Sequence, residues 1–441
     1  MTVSAATDPT FLRGVQRQGG AVAGVQWEYA RSEQVRAHVT LGVQHERFDL
    51  ADGPRDRRYA VQLDPSLGLR GHALGDHEAK IGLQTRFVAH DYDSPALANQ
   101  QWGLGGGLYV QDRWQPWRRL TLLPGLRVDW GMTRNSAGRT VSSLFGLGPR
   151  LGAIWDLAGD AKTFFRFFYG RSNETLSLLA AASAESSYQL DRRAATPHAD
   201  EIVLGLRRLL PRSSVASVDY TYKKLANIWD GIEINQIWNA AGTHVVGYVD
   251  GSPHQLFRYT TPDGNWRIYH GLDFVFSSRP SPLLDLYAAY TLSWLYGPGA
   301  EELGQVGGGE AGNSQYYNPR QAVFFDGFLP EDVRHTLKLR ASYTWRGLVA
   351  GGFFRYQTGA PFTRRYFNPA DDDYTLRRAP QDSERTAATV ELDARVAYDF
   401  HELLSGDGRH HLVVLADLFN LFDQSDGQQP FRFQIGLRYT Y

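Results

Sequence analysis

Few residues have the types and spacing for catalysis or metal binding, and each sits in a poor setting for that chemistry. His410 and His411 lie near Asp407. Neighbours along an extended strand point to opposite faces, so this pair does not readily chelate one ion. The run Asp371-Asp372-Asp373 offers oxygen ligands, but it lacks the spaced ligands and the glycine of a calcium loop. Asp332, Arg334 and His335 combine acid, cation and base, and an ordinary ion pair accounts for them. Gly103-x-Gly105-Gly106-Gly107 is followed by no Lys-Ser/Thr pair and no expected helix, so it is not a phosphate loop. Ser213-Ser214 has no nucleophile-elbow context. With no cysteine at all, thiolate catalysis and thiolate metal sites are excluded. The expectation is a chain that is not an enzyme, with no catalytic residues, no metal and no cofactor.

Two other sets of side chains carry binding chemistry. Trp229, Trp238, Trp266, Tyr316, Tyr317, Tyr366 and Tyr374 are aromatics with polar tips that stack on sugars, peptides or chelates, or equally on one another. Arg127, Asp129, Arg340, Glu391, Asp393, Arg395, Arg432 and Arg438 are charges of both signs set at alternate positions of otherwise regular stretches. They read as a balanced polar network.

The elements that must position these residues show in the alternation. Phe431, Phe433, Ile435, Leu437, Tyr439 and Tyr441 occupy one face of the last segment, and Arg432, Gln434, Gly436, Arg438 and Thr440 occupy the other. That is the period of a β-strand. The pattern recurs over about seventeen stretches. They start near Ala21, Gln34, Arg57, His77, Gly106, Leu120, Pro149, Ala161, Asp200, Ser214, Ile268, Leu283, Val333, Leu348, Thr389, His411 and Phe431. The best helical candidate, 174–186, lies in a connection. Short connections alternate with long ones: 131–148, 170–197, 227–267, 296–332 and 358–388. One end therefore carries tight turns and the other long loops.

Composition agrees. Aromatics make up 13% and glycines number 45, while the formal net charge of -1 argues against a nucleic-acid binder. No run approaches the ~18 apolar residues of a transmembrane helix. Residues 1–20 lack the basic-then-apolar order of a signal peptide. Dyad strands of about ten residues with asymmetric connections are the pattern of a transmembrane antiparallel up-and-down β-barrel. Its apolar faces meet lipid, its polar faces line a wet lumen, and the loop aromatics face outside.

Several stretches resemble the barrel of TonB-dependent outer-membrane receptors, especially the Oar-like group. Tyr109-Val110-Gln111-Asp112-Arg113-Trp114, followed by Leu120 to Asp129, is similar to one of that family's hairpins. So are Gly148-Pro149-Arg150-Leu151-Gly152 with Lys162 to Arg166 and Tyr169-Gly170-Arg171, the pair Asp332-Val333-Arg334-His335 and Tyr356 to Phe362, and Leu418 to Asp423. Tyr441 matches the terminal aromatic read by the barrel-assembly machinery.

The resemblance implies a receptor or transporter in the outer membrane of a Gram-negative bacterium. It would import a scarce or bulky substrate through external loops and lumen, among outer-membrane lipid and lipopolysaccharide, with no nucleic-acid partner. Family members also carry a plug and a TonB box; the expectation is that this chain has no room for them, so TonB coupling would run through a plug outside it. The expected organisation is a 1–20 segment, where 11–18 would supply an extra strand, followed by a barrel over 21–441. The barrel is either a complete eighteen-stranded one or an N-terminally incomplete larger one. A plugless passive channel and a surface adhesin are the alternative functions.

Overall fold

Stretches that alternate in polarity pair edge to edge, because a lone strand leaves its backbone unsatisfied and its apolar face uncovered. The computed structural model describes residues 15–440 apart from 51–54, 95–96, 176–187, 243, 299–326, 330, 362–363, 369–372, 378–383, 401–410 and 424–429. The first eight strands are β1 (Val15–Ala30), β2 (Val35–Leu50), β3 (Arg55–His72), β4 (Asp76–Ser94), β5 (Leu97–Trp117), β6 (Leu120–Arg134), β7 (Thr140–Asp156) and β8 (Thr163–Asn173). A short β9 (Tyr188–Leu190) precedes β10 (His198–Leu210) and β11 (Ser214–Ala226). Four short strands follow: β12 (Asp230–Glu233), β13 (Gln236–Trp238), β14 (Val245–Tyr248) and β15 (Phe257–Thr260). Then come β16 (Trp266–Ser281), β17 (Leu284–Tyr296), β18 (His335–Trp345) and β19 (Leu348–Gln357). The last are β20 (Arg364–Asn368), β21 (Asp373–Arg377), β22 (Thr389–Asp399), β23 (His411–Phe419) and β24 (Arg432–Thr440).

One antiparallel sheet of 17 strands carries the molecule, with neighbours in chain order and β9, β12–β15, β20 and β21 left out of it. Each expected strand is present. β1 begins at Val15, so Val15–Gln18 belong to β1 and do not form a separate strand before it. The expected long connection at 131–148 is only 135–139, because β6 and β7 stay paired up to Arg134 and Thr140. The helical candidate lies outside the described residues except for Glu174 and Thr175, which are not helical. Among the described residues β1 pairs only with β2 and β24 only with β23. Both strands run toward the end with tight turns, so their directions forbid an antiparallel seam between them.

The turn end is built from hairpins that need a left-handed backbone. At Arg346-Gly347 both residues have positive φ, 44° and 81°, which matches the twist of the flanking strands. A Cβ on Gly347 would lie 2.6 Å from the Asp399 carbonyl oxygen, so only glycine fits there.

The apolar residues are outside. Ile435 and Leu437 are 69% and 73% exposed, and Val25, Leu41, Val61, Leu108 and Phe145 are exposed with them. Burying so wide an apolar band needs lipid. Polar side chains occupy the other face. At the loop end, β12 pairs with β15, β15 runs parallel to β9, and β13 and β14 form a hairpin.

Candidate functional site

Register places the named charges on the inner face, alternating with outward apolar residues. Arg127 is ion-paired with Asp129 and donates to Gln84 at 3.0 Å, and Asn173 donates to Asp129 at 3.1 Å. The Arg127 guanidinium and the Lys80 ammonium each lie 5.9 Å from the Tyr109 ring centre, a cation–π arrangement. The glycines make room for this. A Cβ on Gly107 would collide with the Arg127 guanidinium, and one on Gly82 with the Tyr109 ring. Gly103 to Gly107 therefore lie within β5, where Gly107 admits a bulky polar side chain from the next strand.

A cavity of about 350 Å³ opens beside this cluster, lined by His38, Asp64, Lys80, Tyr109, Arg127 and Arg150 among others. A second, of about 560 Å³, shares Lys80 and Arg150 and continues past Arg36 and Arg70 toward the turn end. Together they form a groove down the inner wall of β2–β8, charged beside Arg127 and more apolar toward Leu123 and Phe168.

On the opposite part of the wall the charges are mostly paired. Arg355 meets Glu391 at 2.8 Å and Arg395 meets Asp417 at 2.8 Å. Asp393 accepts the Asn420 backbone N–H at 2.9 Å. Arg340 lies 5.6 Å over Tyr287, and Arg432 lies 4.6 Å over Phe419. Arg438 stands exposed on β24 opposite Val413. On the outward face of the same strand, Phe433, Ile435, Leu437 and Tyr439 are exposed, with Phe431 just before it.

The loop-end aromatics divide. Trp229 stacks on Tyr259 at 5.1 Å and 6°, and its indole N–H is buried without a hydrogen-bond partner. Trp238 is in β13 opposite Val245. Trp266 is not in a loop: it opens β16, edge-on to Tyr296 at 5.8 Å, because its stretch is already paired with β11. Tyr366 and Tyr374 belong to the β20–β21 hairpin. Tyr316, Tyr317 and Tyr441 lie outside the described residues.

Side chains that alternation does not single out organise this end. The Glu233 carboxylate accepts backbone N–H groups of Asn235, Gln236 and Leu256 at 2.9, 2.8 and 3.1 Å. Asn235, 1% exposed, donates to the His254 carbonyl at 2.8 Å and accepts the Asp250 N–H at 3.1 Å. Asp191 is held below the usual carboxylate range by the Arg193 backbone N–H, with help from the Thr260 hydroxyl.

Asp332, with a fully buried side chain, joins two connections. It is ion-paired with Arg385, lies 3.3 Å from Arg334 and accepts the Leu295 N–H at 2.6 Å. Arg385 also reaches the Gly359 carbonyl at 3.0 Å. His335 turns away to the Tyr290 hydroxyl at 2.8 Å, so the acid, cation and base do not converge. His411 bonds Asp399 at 2.8 Å, while His410 and Asp407 lie outside the described residues. No cluster of three or more metal-binding side chains occurs among the described residues.

Solved structures with this architecture include outer-membrane receptors and transporters. YddB, an outer-membrane transporter from Escherichia coli, is similar with a TM-score of 0.64 at 13% identity, over 96% of this chain and 62% of that one. The pyoverdine receptor FpvA from Pseudomonas aeruginosa is similar with a TM-score of 0.64 at 13% identity, over 96% and 61%. The siderophore receptor PiuA from Acinetobacter baumannii is similar with a TM-score of 0.64 at 11% identity, over 92% and 60%. The chain thus spans about three-fifths of the length of these structures. No curated protein sequence matches it. The family model described as TonB dependent receptor-like, beta-barrel matches residues 6–421. The seventeen paired strands, the outward apolar band, the polar inner wall and this match together show that the chain belongs to the TonB-dependent receptor β-barrel family, whose place is the outer membrane of Gram-negative bacteria.

Proposed function

We propose that the chain is the wall and outer mouth of a receptor that captures a scarce or bulky substrate outside the cell and passes it through the lumen. The observation that carries this reading is the folded unit at the loop end. It packs around the Trp229–Tyr259 stack, in which Tyr259 is buried, and is held by Glu233 and Asn235, which gives the mouth a folded unit standing clear of the bilayer. The charged cavity beside Arg127, Lys80 and Asp64 on the inner wall supports a wet path below it. The β20–β21 hairpin, which contains Tyr366 and Tyr374, is a further part of the mouth in this reading.

Import of this kind draws energy from TonB through a plug, and the strands described here supply only the wall. The partners we assign are therefore the substrate, TonB by way of a plug, and outer-leaflet lipid against the apolar band. The barrel-assembly machinery would meet β24 and Tyr441. We assign no catalytic step.

The test is uptake in the native host. Excising 227–265 in frame should abolish growth on, or uptake of, the limiting substrate while leaving the protein in the outer membrane. Unchanged uptake across a panel of chelates, glycans and peptides would sink the proposal. Steady conductance of the purified chain in planar bilayers would favour a passive channel instead.

A further inference from the structure

We propose that the inner face of β2–β8 near the turn end binds a small amphipathic anion, a carboxylate carried on an apolar ring or chain. The proposal rests on the inner wall alone and is independent of uptake. Register sets one lateral row of inward residues across six strands. Arg36 pairs with Gly68, Gly68 with Lys80, Lys80 with Gln111, Gln111 with Gly125, and Gly125 with Arg150. Cations thus alternate with small or neutral residues at one height of the wall. Gly170 follows Arg150 on β8, and then Glu201 on β10, which Lys223 meets at 3.7 Å.

The nearby acids are engaged elsewhere. Glu78 lies 3.3 Å from Arg70 and 3.9 Å from Arg113. Asp112 is hydrogen-bonded to His77 at 2.6 Å, and Asp64 accepts the Gln62 and Gln84 side-chain amides. Glu33 stands lower, in the turn between β1 and β2. Arg36, Lys80 and Arg150 form no ion pair among the described residues, and Lys80 has the Tyr109 ring beside it at 5.9 Å. Lys80 and Arg150 are three strands apart, on the order of 15 Å at the backbone, and both side chains line the same cavity of about 560 Å³. That volume suits a small molecule.

Gly68 and Gly125 are not required by the backbone or by packing. Neither has a positive φ, and an added Cβ would meet nothing closer than 3.7 Å and 3.4 Å respectively. Their effect is to leave the floor between the cations open. Beside that floor Leu123 and Phe168 are 37% and 39% exposed toward the lumen. The Phe168 ring lies against Gly170, next to Arg150, since a Cβ on Gly170 would come within 2.6 Å of it. Cations beside an open apolar floor fit a ligand with a charged head and an apolar body. The planar fork of Arg150 takes both carboxylate oxygens and Lys80 adds a point charge. An inorganic anion would leave Leu123 and Phe168 uncovered.

The experiment is equilibrium dialysis of the full chain, purified in mild detergent, against naphthoate and against its neutral analogue naphthalenemethanol. Uptake by protein-free micelles is subtracted from each. Naphthoate should bind about tenfold more tightly than the alcohol. Lys80→Gln with Arg150→Gln should bring the two to equal affinity. Gly125→Leu, which fills the floor, should weaken both by about tenfold. Equal affinity of the parent chain for the two compounds would overturn the proposal, and that comparison needs no variant to fold. Full displacement of naphthoate by acetate at matched concentration would overturn it too, as would naphthoate binding undiminished in Gly125→Leu.

Discussion

The two parts of the wall reach the external side by different means. β1–β7 are 15 to 21 residues long and are joined there by only 51–54, 95–96 and 135–139. About 9–11 residues suffice to cross a bilayer, so these strands stand well above it. The wall strands from β10 onward have 9 to 16 residues, and their external connections include 227–265, 297–334 and 358–388. In the first part the backbone is satisfied by the ladder itself, whatever side chains it carries. In the second, particular polar side chains must do that, and Glu233, Asn235, Asp332 and Arg385 do. Point changes to polar groups should therefore be severe in one part and mild in the other.

The sharpest break is expected at Asp332. Asp332→Ala leaves Arg385 and Arg334 without their shared carboxylate, a loss of about 3–5 kcal/mol for a buried pair. Limited proteolysis should then cut 297–334 and 358–388 while β1–β7 stay intact. Equal protection in mutant and parent would mean the clamp does not hold these connections. Next is Leu108→Arg on the lipid face of β5, which should cost about 2–4 kcal/mol if Leu108 lies near the bilayer midplane. Urea titration in lipid vesicles measures it, and a neutral result would place that face away from lipid.

Gly82→Val presses on Tyr109 and should cost about 1–3 kcal/mol by overpacking, read as a lowered melting temperature in detergent. Trp229→Ala should loosen only the external unit, by about 0.5–1.5 kcal/mol for the lost stack beyond its burial. Hydrogen exchange in β12 and β15 reports it. The smallest effect is that of pH. Asp191 has a depressed folded pKa, so its contribution is complete above the unfolded carboxylate value and is lost as pH falls through the folded one. Cleavage within 227–265 should rise below about pH 4 and stay flat from pH 5 to 7. A unit equally resistant at pH 3 would show that Asp191 does not secure it.

Much of the wall was legible in the sequence because lipid and lumen impose opposite demands on alternate residues. Leu392, Ala394 and Val396 alternate with Glu391, Asp393 and Arg395, and the strand follows from that alone. The reading failed where the bilayer no longer acts. Above it, β6 and β7 continue through Gly131, Thr133, Ser142 and Ser143, where small and polar residues blur the period, and a loop was expected. Trp266 was misplaced for a related reason, since its pairing with Ala226 extends β16 into the presumed loop.

The loop end was the least legible. Asp332 and Arg385 are 53 residues apart, and β9 joins β15 across 69 residues at the Asp191–Thr260 bond. No local pattern encodes such partners. The sequence by itself determined that the chain forms a lipid-facing antiparallel wall, since period-two alternation is a local property read residue by residue. The tertiary structure alone decided how high each part of the wall stands, which glycines admit Arg127 and Tyr109, and which distant carboxylates and guanidiniums meet at the mouth. Those outcomes depend on register and on backbone groups that find partners only once distant segments have come together.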